Sequence, residues 1–467
     1  MKYLKTRLEV LSQEEIELIH EKTMEILEHT GLRVPHSKVL ALAEEKGARA
    51  DRKTQILKLP RQVMERFLAD IRSQNLVDDE AFHTGRKITG YVSTQVHLAD
   101  VLTGVRRPGL MDDVLKGIRL APHLKNIGGG FATVVPSDVP SQVSDVACFR
   151  ALYKYAEGGG STFILTPGSA KYIFEMAKVT GYQTSYLLET VSPLSFRPES
   201  LEMAVLAAEA GVGMSLAPMV ISGASGPVTA AGTLTMMNAE ILASLFLIYA
   251  ITGKLFCYYG HGTHNMDLRS MSCSFGNPGQ AFFAIASAQL GRYYGMLGGS
   301  NSALTDAVSP DFQAGIEKGM TAMVSALCGA VNVGCQGIAG ADQGFSFEQL
   351  VLDDEWLGYM NYIMEGFEVT EETIAADLIQ EIGIGGNFLA EEHTVEHMAE
   401  SRHTDRLFTR NFWSAEPAGN SCEDILQRAH RFVEEATAGY RNMEPVLEPH
   451  VVRELDRIYD AAVEELT

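Results

Sequence analysis

The sequence predicts an α/β protein built on a (β/α)8 TIM-type barrel, extended by N-terminal helices and β-hairpins and by C-terminal helices. Two observations support this fold class. Short apolar segments alternate with helix-like segments from about residue 109, and repeated units of this kind form a parallel sheet whose strands are buried on both faces. The alternation is not accompanied by a dinucleotide-binding fingerprint, which favours a closed barrel over a doubly wound sheet.

Residues 1–108 are predicted to form helices and short strands that pack on the barrel. Ser12 with Glu15 three positions later is typical of a capping box at a helix start. Gly31 and Gly47 stand where C-terminal caps belong. Polar and apolar residues alternate, with frequent glycine, over residues 81–108, which predicts short strands or hairpins.

The barrel core is expected over residues 109–370, and a charged helical segment over 371–467. Seven of its strands have clear apolar segments, whereas the eighth has no evident position. The seven predicted strand regions are residues 126–135, 161–167, 185–193, 213–222, 254–262, 295–301 and 331–338.

The composition excludes several classes of function. The formal net charge of −21 disfavours nucleic acid and anionic lipid as partners. The longest apolar run, residues 241–251, is too short to span a bilayer. The N-terminal residues lack the apolar region of a signal peptide, and the six cysteines form no CxxC pair. We therefore expect a cytoplasmic protein with reduced thiols.

Residues 221–234, ISGASGPVTAAGTL, lie between an apolar strand-like run and a helix-like stretch. A phosphate-binding loop would place Lys and Ser or Thr after its second glycine, but this segment has Pro227 and Val228 there. The alternative is a tight turn at the carboxyl end of a strand, where glycine permits a positive φ and close backbone approach. In a barrel, active sites are built at that edge.

Two histidines, His261 and His264, follow another predicted strand close to Asp267. Imidazole and carboxylate groups bind zinc, but a third ligand with suitable spacing is missing from the sequence. The alternatives are histidines that bond to neighbouring protein groups, or pocket histidines that donate to a substrate anion.

Acidic and aromatic residues follow the next predicted strands. Asp306 is either a pocket residue or a helix-capping acid. Phe345, Phe347, Tyr258 and Trp356 lie at the predicted barrel mouth. Aromatic residues there usually serve packing, but if they converge they form the cage that a quaternary ammonium prefers.

Several long stretches resemble the trimethylamine methyltransferase superfamily. They are LSQEEIELIHEKTMEILEHTGLRV, PMVISGASGPVTAAGTLTMMNAEILASL, DFQAGIEKGMTAMVSALCGAVNV with GFSFEQLVLDDEWLG, and IGIGGNFLAEEHTVEHM. The last departs from the family pattern, which more often has His where Asn387 stands. The resemblance extends over essentially the whole chain.

The resemblance implies a (β/α)8 enzyme that transfers a methyl group from an amine to the Co(I) of a corrinoid carried by a separate protein. Archaeal trimethylamine enzymes of the family contain pyrrolysine, whereas this chain is written entirely in standard residues. It therefore resembles the non-pyrrolysine branch, whose members demethylate quaternary amines such as glycine betaine. A quaternary nitrogen already carries the charge that makes a neutral tertiary amine the leaving group, so no general acid is required.

A betaine carboxylate would need donors in the pocket, and the residue types at the strand ends supply them. We expect no metal and no tightly bound cofactor of the chain's own, and we expect assembly into a homo-oligomer. The residues expected to bind substrate are Tyr258, His261, His264, Asp306, Asn332, Gln336, Phe345 and Phe347, and those expected to face the corrinoid are Gly223, Gly226, Gly298 and Gly299.

Three alternatives remain open from the sequence. The substrate could be another betaine, such as proline betaine, carnitine or γ-butyrobetaine, because pocket volume decides among these. The chain could instead bind or sense a quaternary amine without catalysis, which would not require a mouth wide enough for cobalamin. A zinc-dependent methyltransferase depends on His261 and His264 alone.

Overall fold

The computed structural model describes residue 4 and residues 8–74, 87–299, 301–330, 332–399, 403, 405–410 and 424–467. Its longer helices are α1 Gln13–Glu25, α2 Ser37–Glu45, α3 Arg61–Arg72, α4 Met111–Leu120, α5 Ser144–Tyr155, α6 Pro167–Thr180, α7 Pro198–Glu209, α8 Ala230–Thr252, α9 Gly279–Tyr293, α10 Phe312–Leu327 and α11 Phe347–Glu365. The C-terminal part adds α12 Glu371–Ile374, α13 Ala376–Ile382, α14 Glu392–His397, α15 Ile425–Ala436 and α16 Pro449–Leu466.

Short strands lie between these helices. In the N-terminal part they are β1 Leu32–Arg33, β2 Arg49–Asp51, β3 Ile56–Lys58, β4 Thr89–Val92, β5 His97–Ala99 and β6 Arg106–Pro108. They continue as β7 Gly130–Phe131, β8 Gly160–Ser161, β9 Ser185–Leu188, β10 Gly213–Leu216, β11 Ile221–Ser222, β12 Tyr258–Tyr259, β13 His264–Asp267, β14 Ser272–Ser274, β15 Leu297–Gly298, β16 Asn332–Gln336, β17 Ile338–Ala339 and β18 Gly344–Phe345.

Strands separated by one helix pair in parallel, as expected for repeated strand–helix units. β7 pairs with β8, β9 with β10, and β12 with β15. Backbone hydrogen bonds from Gly262 to Pro218 and from Gly334 to Ser302 join two further neighbouring segments. The mixed α/β class with parallel strand pairs is therefore confirmed, whereas closure into a complete ring stays a prediction.

One core strand, β4, lies outside the seven strand regions predicted for the core. This strand pairs in parallel with β16 on one side. On the other side the Gly90 amide donates to Asn126 O, and the Gly128 amide donates to Gly90 O. β4 therefore lies between the first and the last predicted strand regions of the core, although the sequence placed it in the segment 1–108. The segment boundaries themselves stay predictions.

The caps predicted for the first helices are present. Ser12 and Glu15 form the capping box of α1. A π-helical turn, Ile26–Thr30, continues α1 and ends at Gly31 with φ +75°. Gly47, after α2, has φ +99°. The predicted hairpin in the following segment is the antiparallel pair β5–β6, and residues 81–86 of that prediction lie outside the described part.

Helix α8 forms the centre of the packing on one side of the strands. It is apolar on all faces, as expected for a helix surrounded by protein. Thr229 caps its start, and Gly253 with φ +70° ends it. It is the helix among the described residues that is long and apolar enough to cross a membrane, but 78% of its apolar window is buried inside the protein. The N-terminal helices α1 and α2 pack on it.

Candidate functional site

The strands β12, β15 and β16 and the segments that follow them contain the predicted polar residues. β12 and β15 are paired neighbours, and Gly334 of β16 packs closely against Asn301, since a Cβ at Gly334 would lie 2.6 Å from Asn301 Oδ1. Tyr258, His261, His264, Asn332 and Gln336 are therefore on adjoining strands or strand ends. Tyr258 and Asn332 begin their strands, whereas Gln336 ends β16 and the histidines follow β12. In an α/β fold, ligand sites are built at the carboxyl ends of the strands.

His261 is buried and offers an unused hydrogen-bond donor. Its Nδ1 accepts from the Thr263 amide at 3.3 Å. Burial lowers the pKa of His261 to about 4, so the imidazole is neutral near pH 7, and with Nδ1 as acceptor its proton is on Nε2. Nε2 is buried and has no partner among the described residues. A buried donor without an acceptor is costly unless a ligand or water supplies one.

His264 is also buried, and side-chain amides occupy both of its nitrogens. Gln280 contacts Nδ1 through its amide, and Asn301 Nδ2 lies 3.0 Å from Nε2. Burial, with the nearby His261, lowers the pKa of His264 to about 3. The ring packs against Phe275 with 4.1 Å between centroids. His264 is thus held rigidly as a neutral imidazole.

The imidazole constrains the two amides that hold it. A neutral ring has one donor and one acceptor nitrogen, so one amide offers it an NH2 group and the other offers its oxygen. The Asn301 amide also contacts the Tyr91 hydroxyl at 3.4 Å, and because a hydroxyl both donates and accepts, this contact fits either arrangement. Gln280 Oε1 is buried without a partner among the described residues.

Tyr258 and Asn332 form a pair across two strands. The Tyr258 hydroxyl donates to Asn332 Oδ1 at 3.2 Å, and burial raises the pKa of Tyr258. Gly299 makes this possible, because a Cβ there would collide with the Tyr258 hydroxyl. Gln336 is fully buried; its NH2 donates to Gly334 O, and its Oε1 has no partner among the described residues.

Asp306 is occupied by contacts within the protein. One carboxylate oxygen accepts from the Ser274 hydroxyl at 2.5 Å, and the other from the Phe275 amide at 2.6 Å. These bonds tie the loop after β15 to the loop after β14. They differ from the helix cap expected as the alternative for Asp306, because Asp311 caps the following helix. The role of Asp306 in binding substrate stays a prediction.

Phe345 and Phe347 contact each other in an edge-to-face pair with 5.2 Å between centroids. Phe345 is fully buried in the main core, and the Lys116 ammonium already lies 5.2 Å from the Phe347 ring. Tyr258 is 6.3 Å from a different ring, Phe256. The described ring contacts thus do not join these phenylalanines to Tyr258, and a shared cage stays a prediction.

The four predicted corrinoid-facing glycines lie in two different environments. Gly223, with φ +88°, and Gly226 form the turn between β11 and α8. This turn is partly exposed and contains the exposed Val228, so a bulky group can approach it. Gly298 and Gly299 are buried in the strand layer beside Tyr258. These contacts do not show whether either pair of glycines faces the corrinoid, which stays a prediction.

Four residues of this region were missed by the sequence: Tyr91, Phe275, Gln280 and Asn301. They come from β4, from the loop after β14, from the start of α9 and from the loop after β15. Asn301 is the last residue of the glycine-rich predicted strand region 295–301, which was a usable signal. The others belong to no spacing motif.

The zinc alternative has little support from the donor set. Within the described ranges there is no group of three His, Cys, Asp or Glu residues that could hold a metal ion. Asp267, which the sequence placed beside the histidines, accepts from the Ser270 hydroxyl and the Arg269 amide in the β13–β14 hairpin. His264 has both nitrogens occupied.

Known proteins match this chain over almost its full length. Glycine betaine methyltransferase of Desulfitobacterium hafniense (strain Y51) is 28% identical over 469 residues, covering 95% of this chain and 94% of that protein. Trimethylamine methyltransferase MttB of D. hafniense (strain DSM 10664 / DCB-2) is 28% identical over 93% of this chain and 90% of its own length. MttB of Methanosarcina barkeri (strain Fusaro / DSM 804) is 27% identical over 97% of this chain and 95% of its own.

Among solved structures, the monomethylamine methyltransferase MtmB of M. barkeri aligns over 99% of this chain and 95% of its own, with 12% identity and a TM-score of 0.43. That similarity is too low to carry an argument. The family model described as trimethylamine methyltransferase (MTTB) matches residues 2–465. Because this match spans nearly the whole sequence, the chain belongs to the trimethylamine methyltransferase (MTTB) family.

Proposed function

We propose that this protein is a corrinoid-dependent methyltransferase that demethylates a quaternary amine, with glycine betaine as the leading substrate. Its partners are the small amine and a corrinoid-carrying protein, and its location is the cytoplasm. The observation that carries the substrate assignment is the buried, unpartnered Nε2–H of His261. The family assignment carries the reaction class.

We further propose that the parallel strands close into an eight-stranded barrel. β4 beside β16 supports closure, because it brings the earliest and the latest core strands into contact. In such a barrel the carboxyl ends of all strands converge on one mouth. The polar residues after β12, β15 and β16 would then line the same opening.

The carboxylate of a betaine fits the free donor of this site. Burial of a carboxylate is costly unless it is hydrogen-bonded, and His261 Nε2–H offers such a bond without a charge of its own. Trimethylamine has no anionic end. This donor therefore favours a betaine, a distinction that 28% identity to both kinds of relative does not make.

The cationic end of the substrate needs electronegative surroundings rather than an opposite charge. Gln336 Oε1 is a buried acceptor without a partner among the described residues, and the rings of Tyr258 and Tyr91 have electronegative faces. These groups would hold the ground-state cation at least as well as the transition state. They therefore contribute binding more than rate.

Methyl transfer requires this chain to orient the substrate and to exclude water from it. The partner's corrinoid, when bound, supplies the nucleophile that accepts the methyl group. His261 and His264 stay neutral near pH 7 because their pKa values are lowered to about 4 and 3. They therefore neither donate nor take a proton, which agrees with a leaving amine that needs no general acid. Gly223 and Gly226, on an accessible turn, leave room for a bulky macrocycle.

The test is an anaerobic assay of purified protein with reduced cobalamin and a panel of amines. The panel contains glycine betaine, proline betaine, carnitine, γ-butyrobetaine and trimethylamine. We expect methylation of the cobalamin, followed by its absorption spectrum, with a betaine and not with trimethylamine. Methylation by trimethylamine alone would overturn the betaine assignment. Tight binding of a betaine without methylation, using either free cobalamin or the corrinoid protein, would instead favour a non-catalytic binding protein.

A further inference from the structure

Met219 is a large apolar side chain that stays exposed although it follows a core strand. Along residues 213–220 every second side chain is buried, namely Met214, Leu216, Pro218 and Val220, and the side chains between them are half-buried or exposed. Successive side chains of an extended chain point to opposite faces. Met219 therefore lies on the open face of this segment, beyond the end of β10, and it is 48% exposed.

Gly262 lies directly beside Met219 on this open face. The Gly262 amide donates to Pro218 O at 2.8 Å, which holds the two segments side by side. A Cβ at Gly262 would lie 3.5 Å from both Cβ and Cγ of Met219 and 3.7 Å from Asn301 Nδ2. The bare backbone of Gly262 is therefore between Met219 and Asn301. These are ordinary contact distances, so an alanine would fit there and its methyl group would fill the space between the two side chains.

Asn301 connects this face to the residues of the candidate site. Its Nδ2 is 3.0 Å from His264 Nε2, and the other end of its amide contacts the Tyr91 hydroxyl at 3.4 Å. Tyr91 is 38% exposed, and Asn301 is half-buried. Met219 and Tyr91 thus lie on the two sides of Asn301, and solvent reaches both of them.

We propose that Met219 forms the wall of the substrate opening opposite Tyr91 and thereby determines which quaternary amines this protein accepts. This role rests on the proposed function, because it belongs to the same site. Gly262 contributes by its lack of a side chain, since any larger residue would take up the space beside Met219.

The chemistry of methionine suits this role. The methyl groups of a quaternary ammonium form no strong hydrogen bonds, so the groups around them need a matching shape and a polarisable surface rather than polar partners. A thioether is polarisable and donates no hydrogen bond, and its unbranched chain adapts to irregular shapes. Met219 can therefore follow the outline of the bound cation, and its length limits the size of the groups on the nitrogen.

Contact with the corrinoid-carrying protein is the other role open to an exposed methionine at a strand end. Such a contact would affect the reaction of every amine equally, because the same partner accepts the methyl group from each of them. A wall of the substrate opening instead changes the preference among amines. The ratio between two substrates therefore separates the two roles.

The experiment compares glycine betaine with proline betaine, which carries a ring on its nitrogen. For each variant, kcat/KM is measured from cobalamin methylation, and Kd from titration calorimetry without cobalamin. Met219→Ala should shift the preference toward proline betaine by about tenfold, and Gly262→Ala should shift it toward glycine betaine by about tenfold, because a methylene group in an apolar pocket produces discrimination of that size. The double variant should return toward the wild-type ratio.

Met320→Ala and Gly319→Ala are the matched controls, since Met320 is 59% exposed on α10 and a Cβ at Gly319 would meet nothing within 4 Å. Both should keep the wild-type ratio. If Gly262→Ala fails to fold, Met219→Phe narrows the opening from the other side. An unchanged ratio in Met219→Ala, or an equal loss for both amines, would overturn the proposal.

Failure of the proposed function can be told apart from failure of this role. If the wild-type protein binds the betaines without methylating cobalamin, the methyltransferase function is wrong, whereas the ratio of Kd values still tests Met219. If it methylates cobalamin but the variants keep the wild-type ratio, the function stands and the role of Met219 is wrong. A wild-type protein that binds none of the betaines would overturn both.

Discussion

At the scale of single residues, His261 links the sequence to the proposed substrate. Its residue type and its place after a predicted strand indicated a pocket donor. The fold adds the specific information that Nδ1 accepts from Thr263, so that Nε2–H faces no described acceptor. His264 differs, since two amides hold it in place. The two histidines therefore differ in their hydrogen bonds, since His261 has an unpartnered Nε2 and His264 has both nitrogens in contact with amides.

Replacing His261 by alanine should raise the KM for a betaine by about ten- to hundredfold, because a hydrogen bond to a charged group contributes about 1.5–3 kcal/mol. The kcat should change less, since the carboxylate is remote from the transferred methyl group. Steady-state methylation of cobalamin measures both constants. His29→Ala, at an exposed position of the N-terminal π-helical turn, is the control. Unchanged kinetics in both His261→Ala and His264→Ala would remove the pair from the site.

The same histidines should make the protein less stable in acid. Their folded pKa values are lowered below 6.5, so the unfolded chain binds protons more readily than the folded one as the pH falls from about 6.5 to about 4. Each histidine should lower the free energy of unfolding by about 2 kcal/mol between pH 7 and pH 5. Urea unfolding at both pH values of the wild type, His261→Gln and His264→Gln measures this. Each variant should show a smaller loss than wild type, and an equal loss would contradict the assigned pKa values.

At the scale of elements, the close approach of β12 and β15 depends on Gly299. Gly299→Ala would push its Cβ into the Tyr258 hydroxyl, which should destabilise the fold by about 1–3 kcal/mol and raise KM by displacing Tyr258 from Asn332. The neighbouring Gly298→Ala is the matched control, since its Cβ would lie 3.6 Å from the nearest atom, in ordinary contact. Unfolding and kinetics of both variants test the difference. Equal unfolding free energies and equal KM values for the two variants would show that the Tyr258 side chain can move aside without loss.

A buried ion pair joins α10, α11 and the end of β16. Lys318 Nζ lies 3.1 Å from Asp353 Oδ2, and both side chains are fully buried. The same carboxylate accepts from the Gly337 amide and the Trp356 indole. Burial raises the pKa of Asp353, so this carboxyl depends on its partners to stay ionised.

Lys318→Met should therefore destabilise the protein by about 3–5 kcal/mol, because it leaves the Asp353 charge buried without its cation. Lys38→Met, which breaks an exposed pair with Glu209, should cost less than about 1 kcal/mol. Urea unfolding at pH 7 compares the two. The Gln349 amide also donates to Asp353 Oδ1 at 2.7 Å. A small effect of Lys318→Met would mean that the bonds from Gly337, Gln349 and Trp356 suffice to hold the charge.

Element prediction from sequence succeeded where a local signal existed. The capping box at Ser12 and the glycine ends at Gly31 and Gly47 are decided within one helical turn. Six of the seven predicted strand regions that had an apolar signal contain an observed strand within their bounds, and the region 161–167 overlaps β8 only at Ser161. β4 was not identified as a core strand, because four residues with an internal glycine carry too little periodicity.

At the scale of the whole molecule, the homo-oligomer expected from the sequence should be visible in thermal stability. If copies associate, the native assembly is stabilised by mass action, and the Tm should rise by a few degrees over a hundredfold increase in protein concentration. Calorimetry measures this. A wild-type Tm independent of concentration would contradict association in that range.

The sequence by itself determined the family, the α/β class and the residue types at the strand ends, because local sequence patterns are enough to identify them. Only the tertiary structure decided that β4 pairs with β16, that Gln280 and Asn301 hold His264, and that Tyr91 contacts Asn301. It alone decided which nitrogen of His261 is free and which apolar side chains remain uncovered. The physical reason is that hydrogen-bond satisfaction and burial are properties of pairs of segments remote in the chain, and no single segment carries them.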